Sequence, residues 1–296
     1  NIDDGSSGNG GGNLFSRTAM VGLDGAFGRV TAGRQVNPTF SVQAQGSAMG
    51  AMNGYTDAGL SVLPVNVRSS NSIMYTTPDF GGLKVSALVS AAEAKGTSRA
   101  RISTLAAPNA ALQPDGSIRN LNNVVAEVDN NDKVGYSLGL NYSNGPLYMG
   151  FGWDRRGQAS SADVFATGAD LFSMDSKQEL WTLSAAYDFG MVRPFVNYSQ
   201  QTNKWNGNFN AAFAGADLGA ALSGKEKGWA LGFTAPVGAG ILFAEYGTSK
   251  TGSISSTATV GALTVNALLN EEMSGKETAF SLGYRYALSK RTWVQA

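Results

Sequence analysis

Three short stretches combine residue types that could support chemistry. Residues 219–226 read GAALSGKE and nearly match a phosphate-binding loop, but Glu226 stands where that motif needs a serine or threonine for magnesium. Residues 1–13 are rich in glycine, yet they neither follow a predicted strand nor open a helix, as a dinucleotide site would require. We interpret both stretches as solvated loops.

The third stretch is acidic. Glu127, Asp129, Asn130 and Asp132 place several oxygen ligands close together, and calcium is bound by ligands of this kind. The glycine and the final glutamate of an EF-hand loop are missing. An exposed polar loop tip is therefore the favoured interpretation, and a calcium site remains the alternative.

Composition removes most catalytic chemistry. The chain has no cysteine and no histidine, so it lacks thiolates and the commonest general base and metal ligand. Its formal net charge is +0, which leaves no basic footprint for nucleic acid. We predict no enzymatic activity, no cofactor and no nucleic-acid partner.

The secondary structure is predicted from the alternation of apolar and polar residues along the chain. In a strand, successive side chains point to opposite faces. Leu138 and Leu140 alternate with Gly139 and Asn141, and similar alternation recurs along the chain. One face of each strand is therefore apolar and the other is small and polar. Large side chains predicted on the apolar face include Trp181, Leu183, Phe233, Leu282 and Tyr284.

A membrane barrel explains this pattern best. No apolar run approaches the ~20 residues that a membrane helix needs, whereas aromatic residues such as Trp181 and Tyr187 end the apolar faces, as in barrel girdles. Short connections alternate with long ones at 36–70, 95–133, 156–176, 202–225 and 252–275. We predict one all-β domain over 1–296, an antiparallel transmembrane β-barrel with about twelve strands in this chain.

Charges on the small-residue faces would then line a water-filled lumen, where they set ion preference. The clearest positions are Lys84, Arg193 and Arg285, with Asp154 and Glu245 as counter-charges. Further candidates, whose facing alternation leaves open or which lie in the first long loop or at its roots, are Arg17, Arg29, Arg34, Asp57 and Arg68.

The loop at 36–70 differs from the other long loops. It contains Phe40, Met49, Tyr55 and Leu63 among other apolar residues, and few charges. An apolar loop is poorly solvated in water. We predict that it folds into the lumen as a constriction loop, with packing on a partner subunit as the alternative.

Several stretches resemble the Gram-negative general porin family. Thr18 and Met20 replace a glutamine and a tyrosine of the family's strand, and Met74 stands where the family often has arginine. The matching stretches are residues 14–23, 27–35, 71–75, 78–82 and 282–292. The resemblance implies about sixteen strands in the full protein, so we expect about three strands to precede this chain and one to follow it.

The resemblance also implies function and partners. It implies a homotrimer in the outer membrane of a Gram-negative bacterium, in contact with lipid and lipopolysaccharide, that passes small hydrophilic solutes and ions. Because cations outnumber anions among the candidate lumen charges, we predict weak anion selectivity. A plugged barrel with a structural or adhesive surface role and a soluble β-rich binding protein are the alternatives.

Overall fold

The computed structural model describes most of the chain, as a single antiparallel sheet with one helix packed on it. The described residues are 17–48, 61–92, 95–102, 124–164, 170–209, 218–252, 255–260, 263–265, 275–289 and 292–295. In this part of the chain no helix is long and apolar enough to cross a membrane.

The described part of the chain contains one helix and sixteen strands, and several neighbouring strands are joined by short turns. The helix is α1 (Pro38–Gln45). The strands are β1 (Ala19–Gly25), β2 (Gly28–Val36), β3 (Arg68–Thr76), β4 (Leu83–Ser90), β5 (Lys95–Ile102), β6 (Val124–Asp132), β7 (Gly135–Asn144), β8 (Leu147–Val164), β9 (Asp170–Tyr187), β10 (Arg193–Phe209), β11 (Leu218–Val237), β12 (Gly240–Thr251), β13 (Ser255–Val260), β14 (Leu263–Val265), β15 (Lys276–Ala287) and β16 (Trp293–Gln295).

The sheet is an up-and-down meander. Within the described ranges, twelve strands pair along one continuous path, in the order β1-β2-β3-β4-β7-β8-β9-β10-β11-β12-β15-β16. Two short hairpins lie off this path: β5 and β6 extend the sheet beside β8, and β13 and β14 extend it beside β11. The all-β antiparallel fold predicted from alternation is confirmed.

Alternation and turn chemistry fix the register. On β7 and β8, Leu138 opposes Trp153 and Gly139 opposes Gly152, so large residues share one face and small residues the other. The turn between these strands contains Gly145 at a φ of 54°, a left-handed conformation that glycine adopts without strain. A one-residue slip would exchange the two faces, so the pattern permits only one register.

The prediction of long irregular loops at 95–133, 156–176 and 202–225 was wrong over much of their length. Strands β8 to β11 continue into the stretches at 156–176 and 202–225 and pair there over many residues, and β5 and β6 lie within 95–133. The loop predicted at 252–275 was also wrong in part, because β13 and β14 lie there. Sequence patterning missed this extension because residues polar on both faces leave no apolar alternation to detect. Residues 219–226 lie inside β11, so they form neither the solvated loop that we predicted nor a phosphate-binding loop.

The apolar face of the sheet is the exposed one. Leu183 is 48% exposed and Leu282 is 63% exposed, although both are large aliphatic residues that an aqueous surface would disfavour. Trp181, Phe233 and Tyr284 lie on the same face, and none of the five is buried. The opposite face carries α1, and we call it the inner face.

Candidate functional site

The described parts of the 36–70 segment lie against the inner face. Helix α1 begins after Asn37, whose side chain accepts a hydrogen bond from the Thr39 backbone N–H at 2.9 Å. Pro38 occupies the first helical position, where its missing N–H costs no hydrogen bond. The helix contacts β4, β7, β8 and β9, so it crosses four neighbouring strands of the sheet.

Glycines on the inner face make room for this helix. A Cβ atom on Gly139 would lie 2.9 Å from the Pro38 Cβ, and one on Gly152 would lie 2.9 Å from the Thr39 Cα. These separations are shorter than van der Waals contact. The inner-face glycines therefore let the helix backbone approach the sheet closely.

Asn37 joins the helix to the sheet. Its side-chain amide donates to Asp154 Oδ2 at 2.7 Å and to Ser69 Oγ at 3.1 Å. Its side-chain oxygen accepts from Ser137 Oγ at 2.9 Å and from the Thr39 hydroxyl at 2.6 Å. Asn37 is fully buried, and these bonds satisfy both ends of its amide.

Four side chains, three on the inner face and one on the helix, anchor the second half of α1 and the residues that follow it. Tyr148 Oη donates to the Val42 carbonyl at 2.9 Å, and Gln43 donates to Ser199 Oγ. Past the helix, Asn197 Nδ2 donates to the Gly46 carbonyl at 2.8 Å. Arg193 Nη2 donates to the Gln45 carbonyl at 2.6 Å and its Nη1 to the Ser47 carbonyl at 3.2 Å.

The returning part of the segment also packs inward. Leu63 is buried against Ala230 of β11, and a Cβ on Gly228 would lie 2.7 Å from Leu63 Cδ2. The segment thus contacts the inner face at both described ends, as the prediction of an inward-folded loop requires. The residues between 49 and 60, including Asp57, lie outside the described part of the chain.

Asp154 is held in place rather than displayed to solvent. The side chain is 2% exposed and accepts from Asn37, from Asn66 at 2.7 Å and from Arg156 Nε at 3.1 Å. Three donors, one of them cationic, compensate the buried carboxylate. These contacts neutralise its negative charge and fix the segment to β8.

Arginines cluster at the roots of the segment. Arg17 and Arg34 are the charged groups that act most on Arg68. Arg34 donates to Ser70 Oγ and alternates along β2 with Gln35, which is buried on the inner face. Alternation therefore directs Arg34 away from the inner face. The pairing of β2 with β3 shifts register between Gly33 and Gln35, next to Arg34.

The remaining candidates lie farther from the helix. Arg29 pairs with Asp24 at 2.6 Å, and Lys84 with Asp79 at 3.5 Å, both exposed pairs near the short turns. Glu245 is buried on the inner face of β12, and Arg285 lies on the inner face of β15.

The acidic stretch is part of a strand. Glu127, Asp129 and Asp132 belong to β6, so the prediction of a loop tip was wrong. Their side chains lie outside the described part of the structure, and the calcium alternative stays a prediction. Among the described residues no cluster of carboxylates could hold a metal ion.

Sequence reasoning missed several residues of this site, among them Asn37 and Arg156. Asn37 had a detectable signal, because an asparagine before a proline is a typical helix start. Arg156 had none, because the stretch after it was interpreted as a loop. It donates to Asp154 and to Ser69 Oγ at 3.1 Å, which ties β8 to the end of the segment.

Taken together, an antiparallel meander with an apolar exposed face and a segment packed on its polar inner face defines the class of outer-membrane β-barrel proteins. A family model described as Gram-negative porin matches residues 1–296. The chain belongs to this family, and it is a β-barrel protein of the outer membrane of a Gram-negative bacterium.

The individual relatives share low sequence identity with this chain. The chain is 26% identical over 304 residues to an outer membrane porin protein of Bordetella pertussis, covering 96% of this chain and 66% of that protein. It is 27% identical over 301 residues to outer membrane porin protein 32 of Delftia acidovorans, covering 97% and 64%. The chain therefore spans slightly less than two thirds of the length of these relatives.

A solved structure described as an anion-selective porin from Comamonas acidovorans is 19% identical. It superposes with a TM-score of 0.43 and covers 94% of this chain and 80% of that chain.

Proposed function

We propose that this chain forms most of the wall of a passive diffusion channel for small hydrophilic solutes and ions. The observation that carries the proposal is the packing of 36–48 and 61–70 on a glycine-lined, polar inner face. Such a face is typical of a water-filled barrel interior, and a segment held there narrows the passage without a catalytic step.

The described parts of the segment, 36–48 and 61–70, are held firmly enough to act as a fixed constriction. Its buried hydrogen bonds connect α1 to β7, β8 and β10 through Ser137, Asp154 and Asn197. A buried and fully bonded polar network is costly to disrupt. Solutes would therefore meet a pore of constant width rather than a loop that moves aside.

Weak anion selectivity is the second part of the proposal. Near α1, Asp154 is bonded to a cation, whereas Arg193 donates to carbonyl oxygens and keeps its positive charge. Arg68 adds a further positive charge where the segment rejoins the sheet. Fixed charge in a narrow pore is weakly screened, so a small surplus can decide ion preference.

The zero-current potential across a KCl gradient tests both parts on the full-length protein in planar bilayers. We expect discrete conductance steps and an anion-selective sign. Combining Arg68→Gln with Arg193→Gln should move the potential toward zero. Lys133→Gln, which removes an exposed lysine paired with Asp175, is the matched control and should leave it unchanged.

Three results would count against the proposal. Absence of conductance would favour the alternative of a plugged structural or adhesive barrel. A cation-selective sign, or an unchanged potential in the double variant, would refute the selectivity. Arg34→Gln should change the potential less than Arg193→Gln, because alternation directs Arg34 away from the inner face. Selectivity should also fade toward ~1 M salt, where the screening length is about 3 Å.

We further propose that the full protein is a homotrimer, as the resemblance to general porins implies. Exposed apolar residues on β1 and β2, with Val21 at 76% and Leu23 at 73% exposure, could face a neighbouring subunit as well as lipid. Chemical cross-linking in mild detergent should give a trimer band, and a monomer band alone would contradict this.

A further inference from the structure

A row of lysines lies on the exposed face of three neighbouring strands. Lys227 of β11 is directly opposite Lys250 of β12, and Lys250 is directly opposite Lys276 of β15. All three are exposed, and Lys225 follows two positions beyond Lys227 on the same face. We call Lys227, Lys250 and Lys276 the lysine row.

This row is unfavourable by itself. Side chains directly opposite on adjacent strands start about 5 Å apart, and like charges there are destabilising. Among the described residues, none of the three has a carboxylate partner within ion-pair distance. By contrast, Lys177 on β9 is balanced by Glu179 at 2.7 Å.

Carboxylates are available on the same strands but point to the other face. Glu226 alternates with Lys225 and Lys227 along β11, and Glu277 is opposite Ser249, which is buried on the inner face. Alternation therefore separates the positive charge from the nearest negative charge. The lysine row presents an unbalanced cationic surface outward.

The row lies at one edge of the apolar band. Lys227 lies ten positions along the strand from Val237 at the short turn, and Lys250 lies ten positions from Gly240. At about 3.3 Å per residue and a strand tilt of roughly 40°, this corresponds to about 25 Å along the membrane normal. That distance matches the height of the apolar band of an outer-membrane barrel.

Aromatic residues mark the same edge. Trp229 lies on the same face as Lys227, two residues closer to the short turn. It contacts Tyr246 with ring centroids 5.5 Å apart. Phe280 is 65% exposed and opposite Tyr246. Aromatic side chains concentrate where hydrocarbon meets headgroups, so the lysines lie at headgroup level. Short turns are periplasmic in bacterial barrels, which places the row in the outer leaflet.

From these observations we propose that the lysine row is a binding site for the phosphate groups of lipopolysaccharide. The acyl chains would lie on the apolar face below it, and the phosphates would bridge the opposed ammonium groups. The inference rests on the proposed membrane placement of the barrel, with the short turns on the periplasmic side, and it is independent of conductance or selectivity.

Native mass spectrometry of the detergent-solubilised full-length protein, titrated with bis-phosphorylated lipid A, tests the site. The combination of Lys227→Gln, Lys250→Gln and Lys276→Gln should weaken lipid A binding roughly 100-fold, from the usual contribution of a surface lysine to anionic-lipid binding. The matched Lys→Arg combination keeps the charge and should bind within about threefold of wild type. Lys133→Gln should bind as wild type does.

Two results would overturn the site. One is unchanged lipid A affinity in the Gln combination. The other is wild-type affinity for phosphatidylglycerol equal to that for lipid A, which would show no preference for the outer-leaflet lipid. The same variants should conduct like wild type in planar bilayers. A wild-type protein that binds lipid A but fails to conduct would refute the proposed channel and leave the site standing.

Discussion

At the level of single residues, Asn37 holds the inward-folded segment most directly. It caps α1, bonds to the Asp154 carboxylate and bonds to Ser69 and Ser137. All of these contacts are buried, so water cannot replace them without entering the interface. The position of the first turn of α1 on the sheet therefore depends on this amide side chain and on the neutralised carboxylate of Asp154.

Asn37→Ala should destabilise the full protein by about 2–4 kcal/mol, because it leaves buried partners unsatisfied and removes the helix cap. Equilibrium unfolding in detergent or lipid vesicles measures this. Gln45→Ala alters an exposed side chain of the same helix and should change stability by less than about 0.5 kcal/mol. Equal effects of the two substitutions would contradict the role assigned to Asn37.

Residue-level prediction from the sequence succeeded only where alternation applied. The facings of Ser137, Gly139 and Asp154 follow from period two and are confirmed. The bonding of Asp154 to Asn37 could not be predicted, because the two are 117 residues apart in sequence and only the packed helix brings them together. Phe195, which interrupts an otherwise polar face, packs on Tyr148 and Ala186, a contact that alternation cannot reveal.

At the level of elements, α1 and the strands beneath it fit because the inner face is lined with glycine and small polar residues. Sequence patterning predicted the inward fold of the 36–70 segment but treated it as an irregular loop. Eight residues with mixed polarity give too weak a helical period to be recognised. The strands that extend past the apolar band were missed for a similar reason, since water on both faces removes the apolar signal.

Gly152→Val should push α1 away from β8. Its Cβ would lie 2.9 Å from the Thr39 Cα and 2.8 Å from Thr182 Cγ2, and overpacking of this kind costs about 1–3 kcal/mol. We expect lower thermal stability and noisier single-channel currents. Gly252→Ala, whose Cβ would lie 3.4 Å from the Lys225 carbonyl oxygen, the nearest atom among the described residues, is the control. Currents in Gly152→Val that are as quiet as those of the wild type would contradict the close packing of α1 on β8.

At the level of the whole molecule, two faces with opposite chemistry explain the structure. The exposed face is apolar across the middle of the strands, with aromatic residues and then lysines at its far edge. The inner face is polar and carries the packed segment. The sequence was sufficient to predict this division, because period-two alternation is repeated in strand after strand.

The apolar face should tolerate charge poorly. Leu183→Arg should lower the free energy of unfolding in lipid vesicles by about 2–4 kcal/mol, since a mid-membrane arginine on the lipid face is costly. Leu183→Ala separates this cost from the loss of apolar area and should have a smaller effect. Equal destabilisation by both substitutions would place Leu183 away from lipid.

The most direct test of the central claim uses the absence of cysteine. The chain has none, so in a full-length protein free of other cysteines Gln45→Cys on α1 adds a single thiol where the exposed side chain should meet the pore. A charged methanethiosulfonate reagent should then lower the single-channel conductance in one step. The matched variant Leu183→Cys, on the exposed face of β9, should conduct unchanged after treatment. Modification of Cys at position 45, verified by mass, without any change in current would contradict a channel narrowed by this segment.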